Sequence, residues 1–101
     1  MNFDPWVTKA SKFPIGKLVM TRGIQAQIIE KEAEYLHWIM SCIDRHAKGE
    51  WGDLDEEDKQ ENERALKQGG RLMSVYKDRG TIWIITEADH SVTTILLPEE
   101  Y

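Results

Sequence analysis

The sequence predicts an α+β fold: a long amphipathic helix and a shorter acidic helix packed on a three- or four-stranded antiparallel sheet. Three observations carry that prediction. The stretch from Arg71 to Tyr101 holds three runs of β-branched, aromatic and large apolar residues, separated by breaks at 77–80 and 88–91 that are of hairpin length. Upstream, apolar residues recur at spacings of three and four from Ile24 to Ile43, the helical period. A C-terminal β-meander with an apolar face needs a cover to be stable, and the helices supply it.

With 101 residues, the chain is read as one domain (1–101), long enough for a single core. A hydrophobic content of 41% with four Trp is that of a globular protein. The single cysteine, Cys42, excludes an intramolecular disulfide, and Met1 to Ala10 has no apolar run of signal-peptide type. No stretch approaches the length of a membrane span. A cytoplasmic protein with no membrane contact is therefore expected.

The elements follow in order. Residues 1–15 read as an irregular arm whose Phe3, Trp6 and Phe13 dock on the body. Pro14 ends it, and residues 17–21 form a short strand placed at an edge of the sheet. From Gly23 to Lys48 the stripe Ile24, Ile28, Tyr35, Leu36, Ile39, Met40 and Ile43 defines one long helix, with Gly49 as its stop. Trp38 lies beside this stripe, where it meets the arm or widens the apolar face into a patch for a partner or a second copy. Cys42 reads as a core thiol. In the loop that follows, Gly49 and Gly52 bracket Trp51, implying a sharp turn with the ring tucked inward. The second helix runs from Asp55, a good N-cap, to Gln68, with Glu56, Glu57 and Asp58 beside its positive end and Gly69-Gly70 closing it.

The net charge of −5 is concentrated: residues 50–68 carry eight acids against three bases, an excess equal to that of the whole chain. Direct nucleic-acid binding wants the opposite sign, since phosphate contacts by Lys and Arg supply most of the affinity. The acidic helix is either a solvated face or, through Glu56, Glu57, Glu61 and Glu63, a binding surface for a basic protein partner. Its inward face would read Asp58, Asn62, Ala65, Leu66, half of it polar. Buried polar groups must be paired, so Asp58 or Asn62 is expected to bond the loop around His46 and Trp51 or the backbone of the sheet. The alternative for His46, Trp51, Asp53, Asp58 and Asn62 is a polar cluster that contacts a ligand.

Several segments together carry a resemblance: His46-x-x-Gly49-x-Trp51-Gly52-Asp53; Asp58-x-x-x-Asn62-x-x-Ala65-Leu66; Arg71-Leu72-x-Ser74-x-Tyr76; and Trp83-Ile84-Ile85-Thr86-Glu87-Ala88-Asp89-x-Ser91-x-Thr93-Thr94-x-Leu96-Leu97-Pro98-x-x-Tyr101. They resemble a family of small proteins of bacterial plasmids, prophages and other mobile elements. The resemblance covers most of residues 16–101 and implies a setting rather than a chemistry. In similar sequences position 50 is often Asp and position 90 often Arg, where this chain has Glu50 and His90. That setting implies an accessory protein acting by macromolecular binding, with inhibition of a host defence nuclease of the anti-restriction or anti-CRISPR type as one such role.

The rival class is a small ribonuclease or toxin-like enzyme on the C-terminal sheet, with Glu87 as base, His90 as acid and Arg71 on the phosphate. Against it, Thr86, Glu87, Asp89 and Ser91 flank a tight turn and serve to satisfy its backbone. A purely structural or oligomeric role, homodimer included, is the third class. No cofactor motif or close metal-ligand pair is present in the sequence, so no cofactor and no metal is expected.

Overall fold

A computed structural model of the chain describes residues 11–101. The elements are β1 (Lys17–Met20), α1 (Arg22–Ala47), α2 (Glu56–Gln68), β2 (Leu72–Tyr76), β3 (Ile82–Thr86), β4 (Val92–Leu96) and a 3-10 turn (Pro98–Glu100). The C-terminal meander forms as expected: β2 pairs antiparallel with β3, and β3 with β4. β1 joins beside β4, giving the order β1-β4-β3-β2, but runs parallel to it. The four-stranded sheet is therefore mixed rather than antiparallel. Hairpin connections fix the direction of the other three strands, whereas residues 21–91 intervene between β1 and β4 and leave that direction free.

One sheet face carries Leu72, Ser74 and Tyr76 from β2, Ile82, Ile84 and Thr86 from β3, and Thr93 and Ile95 from β4, all of them fully buried. Onto it pack Tyr35, Trp38, Ile39, Cys42, Ile43 and His46 of α1. The opposite face holds Val75, Ile85 and Leu96, also buried, with Trp83 edge-on to the Tyr101 ring at 5.3 Å.

α1 differs from a single straight helix. Glu32 has φ 62° and ψ −151°, a conformation nearly confined to glycine, and it breaks the helix in two. Before the break only Ile24 is buried, and Ile29 is 80% exposed. Beyond it the inward stripe is 35, 38, 39, 42, 43 and 46. Trp38 and Cys42 thus take inward positions, and Met40, expected on that stripe, is 40% exposed. Trp38 belongs to the core, its ring 5.5 Å from Tyr35 and its Nε1 donating to Asp78 at 3.4 Å. Phe13 and Ile15 are buried in the same core; Phe3 and Trp6 lie outside the described residues.

Two glycines are required by close approach. A Cβ on Gly16 (φ +65°) would lie 2.3 Å from the His90 carbonyl oxygen, and one on Gly52 (φ +75°) 2.0 Å from that of Val75. The chain's end is pinned by Glu100, whose carboxylate accepts from the Thr21 hydroxyl (2.5 Å), the Gly23 N–H (2.9 Å) and the Leu97 N–H (2.9 Å). The Thr21 bond leads in holding that carboxyl below its usual range, and the start of α1 is a favourable place for the charge. No helix among the described residues is long and apolar enough to cross a membrane.

Candidate functional site

The residues expected to form one polar cluster divide into two arrangements. The first seals the outer edge of β2. Asn62 uses both halves of its amide on one residue: Nδ2 donates to the Met73 carbonyl (2.7 Å) and Oδ1 accepts from the Met73 N–H (3.1 Å). Next along the strand, the Val75 N–H reaches the Trp51 carbonyl (3.3 Å) and the Asp53 N–H reaches the Val75 carbonyl (2.7 Å). The Asp53 carboxylate then accepts from the Lys77 N–H at 3.0 Å. The Tyr76 hydroxyl fastens the same loop by donating to the Glu50 carbonyl at 2.7 Å. Asn62 is thus the structural clamp that the polar inward face called for, and the only buried residue of α2.

Asp58 is outside this clamp. Its side chain is exposed and its N–H is capped by Asp55 at 2.8 Å, so the inward face of α2 is narrower than the sequence pattern suggested. Lys59 takes a half-buried position instead. Glu63 is partly committed, accepting from Trp51 Nε1 at 2.8 Å. Glu56, Glu57 and Glu61 are exposed. Lys59 stands 3.8 Å from Glu56, and Arg64 pairs with Glu61. Pairs of this kind between exposed side chains on one helix hold weakly. Glu57 and the Asp58 carboxylate have no cationic partner among the described residues.

The second arrangement lies in the core around His46, which is fully buried. Nδ1 is 2.5 Å from Ser74 Oγ, and Nε2 is 2.9 Å from Thr86 Oγ1. Thr86 Oγ1 lies 2.6 Å from Thr93 Oγ1, which donates to the Ile15 carbonyl at 2.7 Å. Proton counting fixes the directions from Thr93 back to His46 Nε2. A carbonyl only accepts, so Thr93 gives Ile15 its single hydrogen and must accept from Thr86. Thr86 in turn accepts from His46 Nε2–H. Burial pushes the imidazole's pKa down to about 3, so the ring is the neutral Nε2–H tautomer and Nδ1, carrying no hydrogen, accepts from Ser74. Phe13 and Trp51 meet the ring edge-on, at 5.3 and 5.7 Å between centroids.

A serine donating to a histidine nitrogen has the polarity of a nucleophile and its base. Here both groups are completely buried, with no opening to a substrate, and the chain ends on a backbone carbonyl. The arrangement joins α1, β2, β3, β4 and the segment before β1 in one satisfied polar line. The sequence reading gives Ser74 and Thr93 no role and takes Thr86 for a turn residue, whereas its side chain is buried in this line. The signal available was parity: each is an inward position of its strand, Ser74 between Leu72 and Tyr76, Thr86 two residues after Ile84 and Thr93 two before Ile95, all core residues.

Of Arg71, Glu87 and His90, the structure brings the first two together and leaves the third in the turn. Arg71 Nε and Nη2 face the Glu87 carboxylate at 3.3 and 3.5 Å, and Nη1 donates to the Tyr101 hydroxyl at 3.0 Å. Base and phosphate-binding cation thus occupy one another. His90 is a turn residue with φ 60°, its N–H on the Glu87 carbonyl (2.9 Å) and its ring 5.5 Å from Phe13. Asp89 and Ser91 serve the turn as expected, the Ser91 N–H and hydroxyl both on Asp89 Oδ1 at 3.0 and 2.6 Å. Cys42 is buried without an activating base, and burial pushes its thiol up to about 12. Among the described residues, no group of three His, Cys, Asp or Glu side chains is placed to hold a metal ion.

No protein-family model matches this chain, and neither the curated proteins nor the solved structures include a match to it.

Proposed function

We propose that this protein is an accessory factor of a bacterial mobile element that works by binding a basic protein surface through its acid-rich segment 50–68. The partner class is a host defence nuclease, whose nucleic-acid groove is basic by necessity. The observation that carries this reading is the pairing of charge with rigidity. The segment holds an excess of acid equal to the chain's whole net charge, spread over α2, which buries Asn62 alone, and the loop before it, and it is clamped to the edge of β2 through Asn62 of the helix and Trp51 and Asp53 of the loop. A charged surface that is already ordered loses little entropy on binding and steers a basic partner from a distance. The mobile-element setting comes from the sequence resemblance; the mutual pairing of Arg71 and Glu87 speaks for binding over cleavage.

The test is affinity capture from bacterial lysate with the wild-type chain and with Glu56→Lys, Glu57→Lys and Glu61→Lys combined. Those side chains are exposed, so the variant is expected to fold. Capture of a nuclease by the wild type, lost in the variant and displaced by added DNA or RNA, supports the proposal. Capture that survives charge reversal, or nucleic-acid cleavage by the purified chain that Glu87→Gln abolishes, overturns it.

A further inference from the structure

The two edges of the sheet are treated differently, and the difference points to a partner. On β2, the outward N–H and C=O of Met73 and of Val75 and the N–H of Lys77 are met by Asn62, Trp51 or Asp53. On β1, the Lys17 N–H bonds the Ser91 carbonyl (2.9 Å) and the Thr21 N–H the Ile95 carbonyl (3.1 Å), so alternate residues Leu18 and Met20 turn their N–H and C=O away from β4. The Met20 carbonyl accepts from Gln25 Nε2 at 2.8 Å. The Met20 N–H and both backbone groups of Leu18 have no partner among the described residues. Unmet donors and acceptors along a strand edge are a template for another strand.

We propose that β1 is the contact through which two copies of this chain pair, antiparallel, into a closed dimer. The strand is self-complementary about a two-fold axis at Val19. Leu18 and the partner's Met20 then exchange both backbone bonds, and Met20 does the same with the partner's Leu18, its carbonyl keeping Gln25 Nε2 on one lone pair and taking the partner's N–H on the other. Lys17 lies opposite the partner's Thr21, so no like charges face each other. The Leu18 and Met20 side chains, already packed against the core, meet their counterparts on the helix-covered side. Two features of the sheet order set the size and sign of the assembly. The sealed β2 edge gives a third copy nothing to pair with, so the joined sheet stops at two chains rather than growing. The acid-rich segment also flanks β2, at the far side from β1, which keeps the two concentrations of negative charge at opposite ends. This inference stands independently of the identity of any basic partner.

Sedimentation equilibrium of the wild-type chain over a wide concentration range tests it, with two variants at Val19, whose half-buried side chain points away from α1. A species of twice the 11.8 kDa chain mass is expected. Val19→Lys, which sets two ammonium groups face to face across the axis, is expected to weaken association by roughly tenfold or more while circular dichroism stays unchanged. Val19→Cys is expected to form an interchain disulfide under mild oxidation, Cys42 being buried. A wild-type chain that remains monomeric at millimolar concentration overturns the proposal. A dimer equally tight in Val19→Lys and uncrosslinked in Val19→Cys overturns it too.

Discussion

Acid should unfold this protein through one imidazole. His46 is neutral in the fold, its pKa pushed down to about 3 by burial, against 6.5 for the exposed ring. The unfolded chain therefore binds a proton that the folded chain refuses whenever the pH lies between those values. Stability from this group is fully present above 6.5 and is lost as the pH falls, at about 1.4 kcal/mol per unit. By pH 4 the loss is about 3 kcal/mol, a large part of the total stability of a domain of this size. Urea unfolding followed by tryptophan fluorescence at a series of pH values measures it, Trp51 sitting directly against the ring. Asp89 and Glu100, both held below their usual ranges by hydrogen bonds, also withdraw stability in acid, so the wild-type curve alone is not decisive. The comparison is with His46→Gln, which has no proton to gain and keeps a donor and an acceptor. The variant should be less stable at pH 7 yet lose less between pH 6.5 and 4.5. Parallel curves for the two proteins would refute the buried, neutral assignment.

Asn62→Ala removes both bonds to Met73 and should lower stability by about 1–3 kcal/mol in urea unfolding; a change near zero would mean that water replaces the clamp. Glu32→Gly should raise stability by about 1 kcal/mol by relieving a backbone conformation that glycine adopts freely. A loss of about 1 kcal/mol, the ordinary effect of glycine inside a helix, would instead mean that α1 runs unbroken. Cys42 should react with a thiol reagent only as fast as the chain opens, so the native protein should be protected and urea should remove the protection; rapid native labelling would contradict its burial.

The meander, the two helices and the N-cap at Asp55 were legible because each rests on a local signal: alternation, period, or a capping residue in place. The direction of β1 was not, because it depends on a pairing across most of the chain. The break at Glu32 has no local mark either, since glutamate is a good helix former and nothing in Ile28 to Glu34 announces positive φ. Asn62 was found by asking what a polar residue on an inward helix face must bond. The same question, put to strand parity, would have found Ser74, Thr86 and Thr93, but hydroxyls near turns read first as turn residues. For Thr86 that reading fails, because it faces the core one residue before the turn begins. Glu87 and Arg71 were legible as residue types but not as a mutual pair, which only the β2–β3 register brings together.

The line from Ser74 through His46, Thr86 and Thr93 to Ile15 admits a single arrangement of hydrogens, and this has a consequence for how such a sequence can drift. Exchanging either threonine for valine takes a hydrogen-bond partner from the neighbour on each side, and exchanging the histidine takes one from two hydroxyls at once. Positions 46, 74, 86 and 93 are therefore locked to one another as a set. A lineage that leaves this arrangement has to replace the members together, through intermediates less stable than either end point.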